Sequence, residues 1–180
     1  GSTSGGSTFG IVSTIFGFDP FSGRFSAGGE SGQPPVIPQN MCVIFQFNDA
    51  VDQRSVSTET ITVQEVDLTQ TPPAPGPDAG TSFRIDGSFL NVCPLIQFTD
   101  TNVSYGFLPN RTYQILFEVP PSSPTVRSFK GTPIRTSDRG PFYFQTNDVI
   151  YDRVPGPPQP TATLLDAAGR ADCVITTGGV

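Results

Sequence analysis

The side chains from which chemistry is usually built are sparse in this chain of 180 residues: three cysteines, 16 acidic residues and no histidine. Without imidazole the commonest general base is missing, and neither a Ser–His nor a Cys–His nucleophile can be assembled. Paired carboxylates can hydrolyse glycosides, but Asp49, Asp52, Asp86, Asp100 and Asp138 all stand in turn-like contexts. An aspartate in a turn more often accepts hydrogen bonds from its own backbone. The expectation is a protein with no catalytic residue and no enzymatic activity.

Metal chemistry is equally poorly provided for. Cys42, Cys93 and Cys173 form no C-x-x-C pair, and no histidine completes a zinc shell. No D-x-D-x-D-G loop is present for calcium; Asp49 with Asp52, and Asp148 with Asp152, are the nearest to a ligand set and read as solvated turn residues. No cofactor or metal is expected. Cys42 and Cys93 lie in strand-like segments and are read as a disulfide, the alternative being two buried free thiols. Their bridge would close a loop of about 50 residues and contribute about 4 kcal/mol on the chain-entropy model. Cys173 is then either a free thiol or paired between chains.

The net charge is −6, and Lys130 is the single lysine. That balance offers no cationic surface for phosphates, so nucleic acid is not an expected partner. It also weighs against lysine isopeptide crosslinks, because Lys130 sits in a loop-like "RSFKGTP". No apolar run approaches the roughly 20 residues that span a bilayer, and no charged n-region precedes an apolar h-region. An export signal, if the protein is secreted, is expected to have been removed or to lie outside the sequence. The acidic surface, scarce lysine and possible disulfide agree with an extracellular or cell-surface location. Asn102-Val-Ser104 and Asn110-Arg-Thr112 fit the N-glycosylation pattern in loop-like stretches. With no tryptophan, and phenylalanines that mostly alternate inward, no aromatic platform for glycan is expected.

The elements that would position these residues are strands. Gly and Pro make up 38 residues, and 15 of the 19 aromatics are Phe, a mixture that suits short strands between many turns. "MCVIFQFND" alternates through Val43, Phe45 and Phe47, with Cys42 and Ile44 apolar on the other face, as in a central sandwich strand. "TITVQEVDL" alternates through Ile61 and Val63, and "TQTPPAPGPDAGT" then breaks the pattern as a long exposed loop. "SFRIDGSFLNV" carries a hairpin signal at Asp86-Gly87, and "CPLIQFTD" supplies a further strand. "RTYQILFEV" has the cleanest period of two in the chain, through Tyr113, Ile115, Phe117 and Val119, and "GPFYFQT" closes the domain with Phe142 and Phe144 inward. About seven short strands over 110 residues predict an all-β, antiparallel immunoglobulin-like β-sandwich.

Three segments in order, "VIFQFNDAVDQRSVSTETITV", "YGFLPNRTYQILFEV" and "GPFYFQTND", resemble the bacterial Ig-like repeats of S-layer and other secreted or surface-anchored proteins. The matching residues are Phe47, Asp49, Val51, Asp52, Ser55 and Val56; then Leu108, Pro109, Thr112 and Tyr113; then Phe142, Phe144 and Thr146. The resemblance spans roughly residues 36–148 and implies an Ig-like module in an extracellular structure. It does not account for the proline-rich stretch at 71–80, the cysteines or either extension. Within it, Tyr113 is expected to be structural, its ring in the core and its hydroxyl returned to backbone at the preceding corner.

The expected organisation is therefore an N-terminal extension over 1–35, the sandwich over 36–148 and a Pro/Gly-rich C-terminal extension over 149–180. The first extension contains "STFGIVSTIFGFDPF", a run of apolar β-formers behind a Gly/Ser leader. Phe9, Ile11, Val12, Ile15, Phe16 and Phe18 are read as a subunit-assembly arm that adds a strand to a neighbouring copy, making the chain its own partner in a filament or lattice. Two other readings stay open: an arm packed on its own domain, and a piece of a longer chain whose ends are linkers. A passive spacer or adhesion module is the alternative function, and whether it contacts a cell surface or glycan is left open.

Overall fold

A computed structural model describes residues 8–16, 34–121 and 124–150, with strand pairing alone for 18–19 and 24–25. The strands are β1 (Ile11–Ile15), β2 (Phe18–Asp19), β3 (Arg24–Phe25), β4 (Val36–Ile37), β5 (Val43–Phe47), β6 (Ile61–Asp67), β7 (Ala74–Asp78), β8 (Thr81–Asp86), β9 (Phe89–Pro94), β10 (Ile96–Phe98), β11 (Val103–Tyr105), β12 (Thr112–Phe117) and β13 (Phe142–Thr146). Two sheets pack face to face, one ordered β1-β5-β9-β8 and the other β4-β13-β12-β6-β7. All pairings are antiparallel except β13 with β4. The protein is an all-β sandwich.

The alternation in the sequence sets the two inner faces. Val43, Phe45 and Phe47 of β5 are buried, as are Tyr113, Ile115 and Phe117 of β12 and Ile61 and Val63 of β6. Phenylalanine is the commonest of the buried apolar residues described, 7 of 19. Phe45 stands edge-on to Phe117 and to Phe142, each at 5.1 Å between ring centroids. A second aromatic group joins Phe107, Tyr113 and Phe144 at 5.1–5.4 Å. Edge-to-face and offset rings add about 0.5–1.5 kcal/mol per pair to their area burial.

Three expectations change in register or extent. The proline-rich stretch is not wholly a loop: Ala74–Asp78 is β7, paired with β6 through Val66↔Pro75 and Gln64↔Asp78. Pro75 and Pro77 lie on the outermost strand of the sheet, at a register shift between the Gln64 and Val66 pairings, the edge and bulge positions where proline is tolerated. "CPLIQFTD" divides between the end of β9 and the separate strand β10, which pairs only with β11. The boundary at residue 36 cuts through the sandwich, because β1 is already one of its strands.

The hairpin expected at Asp86-Gly87 forms between β8 and β9 with its turn one residue further on, because Asp86 pairs with Phe89 and the connecting residues are Gly87, at φ 62°, and Ser88. The base of the β10–β11 hairpin is pinned to the first sheet, Leu95 N–H donating to Gly80 O at 3.0 Å and Gly106 N–H to Leu95 O at 2.8 Å. A Cβ on Gly106 would overlap the Gly80 carbonyl, a backbone group that cannot rotate away. Gly106→Ala is expected to lower unfolding stability by about 1–3 kcal/mol in urea titration, the range for overpacking a close contact.

Candidate assembly site

The apolar run at the amino-terminal end builds its own edge of the sandwich. β1 lies antiparallel to β5 with Ile11↔Phe47, Ser13↔Gln46, Thr14↔Phe45 and Ile15↔Ile44 in register. The register slips between Ile11 and Ser13. One extra residue there reverses the parity of the strand, so Phe9, Ile11 and Phe16 face the core whereas Ile15 turns to the outer face beside Ile44. Phe9 is 2% exposed and Phe16 5%, while Val12, at the bulge, is 56% exposed. The six residues grouped as one arm thus divide: Phe9, Ile11 and Phe16 are core, and Val12 and Ile15 are surface. The side chain of Phe18 lies outside the described residues.

Phe9 stacks on Phe47 with centroids 4.9 Å apart and the rings 14° from parallel. Around it the backbone is bonded on both sides. Asn48 N–H donates to Gly10 O at 3.0 Å, its Oδ1 accepts from Gly10 N–H at 3.1 Å, and its Nδ2 donates to Thr8 O at 2.6 Å. On the other side Arg135 N–H donates to Phe9 O at 2.9 Å. Asp138 Oδ2 accepts from Ile11 N–H at 2.8 Å and from Arg135 Nε at 2.9 Å, and Arg135 Nη2 donates to Ile11 O at 3.3 Å. Asn48, Arg135 and Asp138 hold the first strand in place, a role that the sequence did not disclose. Their neighbours in sequence are turn residues, and nothing local connects them to residues about 40 or 127 positions earlier.

Cys42 and Cys93 form the disulfide, with Cα atoms 4.2 Å apart. The register Val43↔Val92 places them directly opposite on adjacent strands of one sheet, on its outer face. The bridge therefore joins β5 to β9 within a sheet and does not tie one sheet to the other. Cys173 lies outside the described residues.

Tyr113 closes the opposite end. Its ring is buried, and its hydroxyl accepts from Leu108 N–H at 2.7 Å across a turn in which Asn110 takes φ 57°. Thr146 Oγ1 completes the corner, donating to Leu108 O and accepting from Arg111 N–H at 3.1 Å. Burial raises the Tyr113 phenol above its ordinary value of 10.0, opposed by the Leu108 hydrogen bond, with Glu65 adding to the rise and Arg111 countering it.

Asp49 and Asp52 are occupied structurally. Asp52 caps the short 3-10 turn Gln53–Ser55 by accepting from Arg54 N–H at 3.1 Å and pairs with Arg54 Nε at the same distance. Those bonds hold its carboxyl below the usual range. Asp49 faces Lys130 at 3.5 Å on the surface. Among the described residues no three Asp, Glu, Cys or His side chains converge on a metal position, and no helix is long and apolar enough to cross a membrane.

The inward alternation of phenylalanine fails at three places among the described residues: Phe98 is 75% exposed, Phe129 72% and Phe89 36%. On the outer face of the first sheet, Ile15, Ile44 and Phe89 line a groove of about 300 Å³ with Arg84, Asp86 and Asn91. Neither feature was anticipated, although Ile96/Phe98 and Val103/Tyr105 do alternate in the sequence. Compared with protein-family models, curated proteins and solved structures, the chain matches none.

Two outcomes follow from this geometry. Replacing both Cys42 and Cys93 by Ser is expected to lower stability by about 4 kcal/mol in denaturant titration, the loop-closure value for a separation of 51 residues. Tyr113→Phe removes the acceptor for Leu108 N–H and is expected to cost about 1–2 kcal/mol at neutral pH. Because the folded state holds the Tyr113 proton more tightly, its contribution is whole below pH 10 and declines as pH rises from about 10 towards the folded pKa. The stability difference between wild type and Tyr113→Phe should shrink over that alkaline range and stay constant below it.

Proposed function

We propose that the protein is a non-enzymatic extracellular or cell-surface structural subunit, an Ig-like module that polymerises head to tail by docking β1 of one copy into the sandwich of the next. Its partner is then a second copy of itself, with no nucleic acid, cofactor or membrane span involved.

The observation that carries the reading is a mismatch of length. β1 and β5 are antiparallel neighbours, for which a two-residue turn suffices, yet nineteen residues, 17–35, with β2 and β3 among them, separate the buried Phe16 from β4. Drawn out, such a stretch reaches about 70 Å, far beyond a domain with a radius of gyration of about 14 Å. The same strand can therefore make the same contacts in its own sheet or in a neighbour's. Phe9, Ile11 and Phe16 would enter the acceptor's core, and Asn48, Arg135 and Asp138 would bond the incoming backbone as they do now.

The Ig-like part of the reading is supported by strand order. By position, β1, β5, β9 and β8 correspond to A, B, E and D of an immunoglobulin constant domain, and β13, β12 and β6 to G, F and C. The disulfide supports an oxidising compartment. A compact spacer or adhesion module in a larger secreted protein is the second reading, favoured by the docking of β1 in its own sheet.

Negative-stain images of the wild type should show fibres, and a chain lacking residues 1–20 should give only compact particles. Because that deletion also removes core side chains, its folding is followed by near-UV circular dichroism, with and without an added peptide of residues 7–18. Recovery of the native spectrum with peptide shows the vacated edge to be competent. Assemblies of unchanged size from the deleted chain would refute strand exchange, and compact wild-type particles at all concentrations would favour the spacer.

A further inference from the structure

The β10–β11 hairpin has a face that nothing covers among the described residues. Ile96 pairs with Tyr105 and Phe98 with Val103, so these four side chains share one face, while Gln97 and Ser104 share the other. Ile96 and Val103 are about two-fifths exposed, and Phe98 is the most exposed large apolar residue described. A two-stranded hairpin is marginal in water unless its apolar face packs on something. Here only its base is held, by Leu95 and Gly106.

The groove on the outer face of the first sheet has the matching shape. Its floor is a row across the sheet, Ile15↔Ile44↔Asn91↔Arg84, with Phe89 in the next row. At about 300 Å³ it has room for a phenylalanine side chain. Arg84 lies in the Ile15/Ile44 row of the groove and Asp86 in the Phe89 row, and Asp100 lies in the hairpin tip. All three are exposed and none makes an ion pair among the described residues, which leaves Arg84 open to pair with Asp100 on the side away from Asp86.

The two do not meet within this copy, since no residue of the hairpin lines the groove. The groove lies at the start of β9, by Phe89 and Asn91, and the hairpin leaves from the end of β9, after Pro94. Six residues of strand separate Phe89 from Leu95, about 20 Å along the sheet. A knob at one end and its socket at the other make a heterologous contact, which repeats head to tail into a ring or an open chain according to its rotation.

We propose that the Ile96/Phe98/Val103/Tyr105 face of one copy docks in the Ile15/Ile44/Phe89 groove of the next, Phe98 entering the groove and Asp100 pairing with Arg84. This rests on the self-assembly reading and adds to it a contact independent of strand exchange. It meets a need of that reading: a tethered strand faces its own acceptor at an effective concentration on the order of millimolar. A neighbour's strand therefore prevails only if a further contact holds the copies together.

The test is sedimentation velocity of the full chain across a concentration series, with two surface charge reversals and one truncation. Asp100→Arg places two cations together and Arg84→Asp two anions, so each variant alone should associate several-fold more weakly than wild type. Mixed in equal amounts, every knob meets a socket of opposite sign, and association should return. Phe98→Ser should weaken association at least tenfold, in proportion to the apolar area withdrawn. Wild-type association in all three variants overturns the hairpin contact and leaves strand exchange standing. Charge-sensitive pairing without fibres supports the contact and removes the strand-exchange polymer. Weak association of the single reversals without recovery on mixing overturns the contact, as does a wild type that stays monomeric throughout.

Discussion

The stacking of Phe9 on Phe47 ties the first strand to everything that follows. Phe47 stands edge-on to Phe117 at 6.2 Å, and Phe117 in turn to Phe45 and Phe142. A residue before the first strand is thereby in register with the centre of both sheets. Remove the ring and the large end of the core opens to water, because no other described side chain occupies that place. The cost of exposing a cluster of this kind is several kcal/mol, a large part of the total stability of a domain this size. The amino-terminal strand is consequently a part of the fold and not an ornament on it.

That same strand sits at an edge, and edges are where β-proteins make or refuse contacts. The sandwich treats its edges differently. Prolines sit on β7, and β4 is only two residues long. On the side of β1 away from β5, the Ile11 backbone is bonded by the Arg135 and Asp138 side chains from a loop. β8 carries neither proline nor lysine and ends its sheet among the described residues. A subunit that polymerises by strand exchange needs such an arrangement, in which the bonds holding the exchanged strand come from groups that stay with the acceptor.

Much of this was legible in the residues. The period of two in β5 and β12 placed the inner faces correctly, because a residue facing a sandwich core must be apolar and its neighbour need not be. Cysteines in two strand-like segments proved to be bonded partners. The tyrosine before its strand returned its hydroxyl to Leu108 as the corner geometry requires. The proline-rich stretch misled, since Pro argues against a central strand but is compatible with an edge, and the sequence does not say which strand lies outermost. The bulge at Val12 misled for a related reason: one inserted residue exchanges the two faces without altering the composition.

The sequence by itself determined the architecture and the absence of an imidazole. Alternating Phe, Val and Ile between Gly and Pro can bury its apolar surface only in paired sheets, and a chain without histidine has no imidazole base. Tertiary structure alone decided where the first strand docks, which of its side chains are core, and which distant polar groups hold it. It also decided that the hairpin face and the groove lie at opposite ends of β9. Those facts depend on which strands are neighbours and how their registers align, and such long-range pairings leave no mark on the local pattern of any one strand.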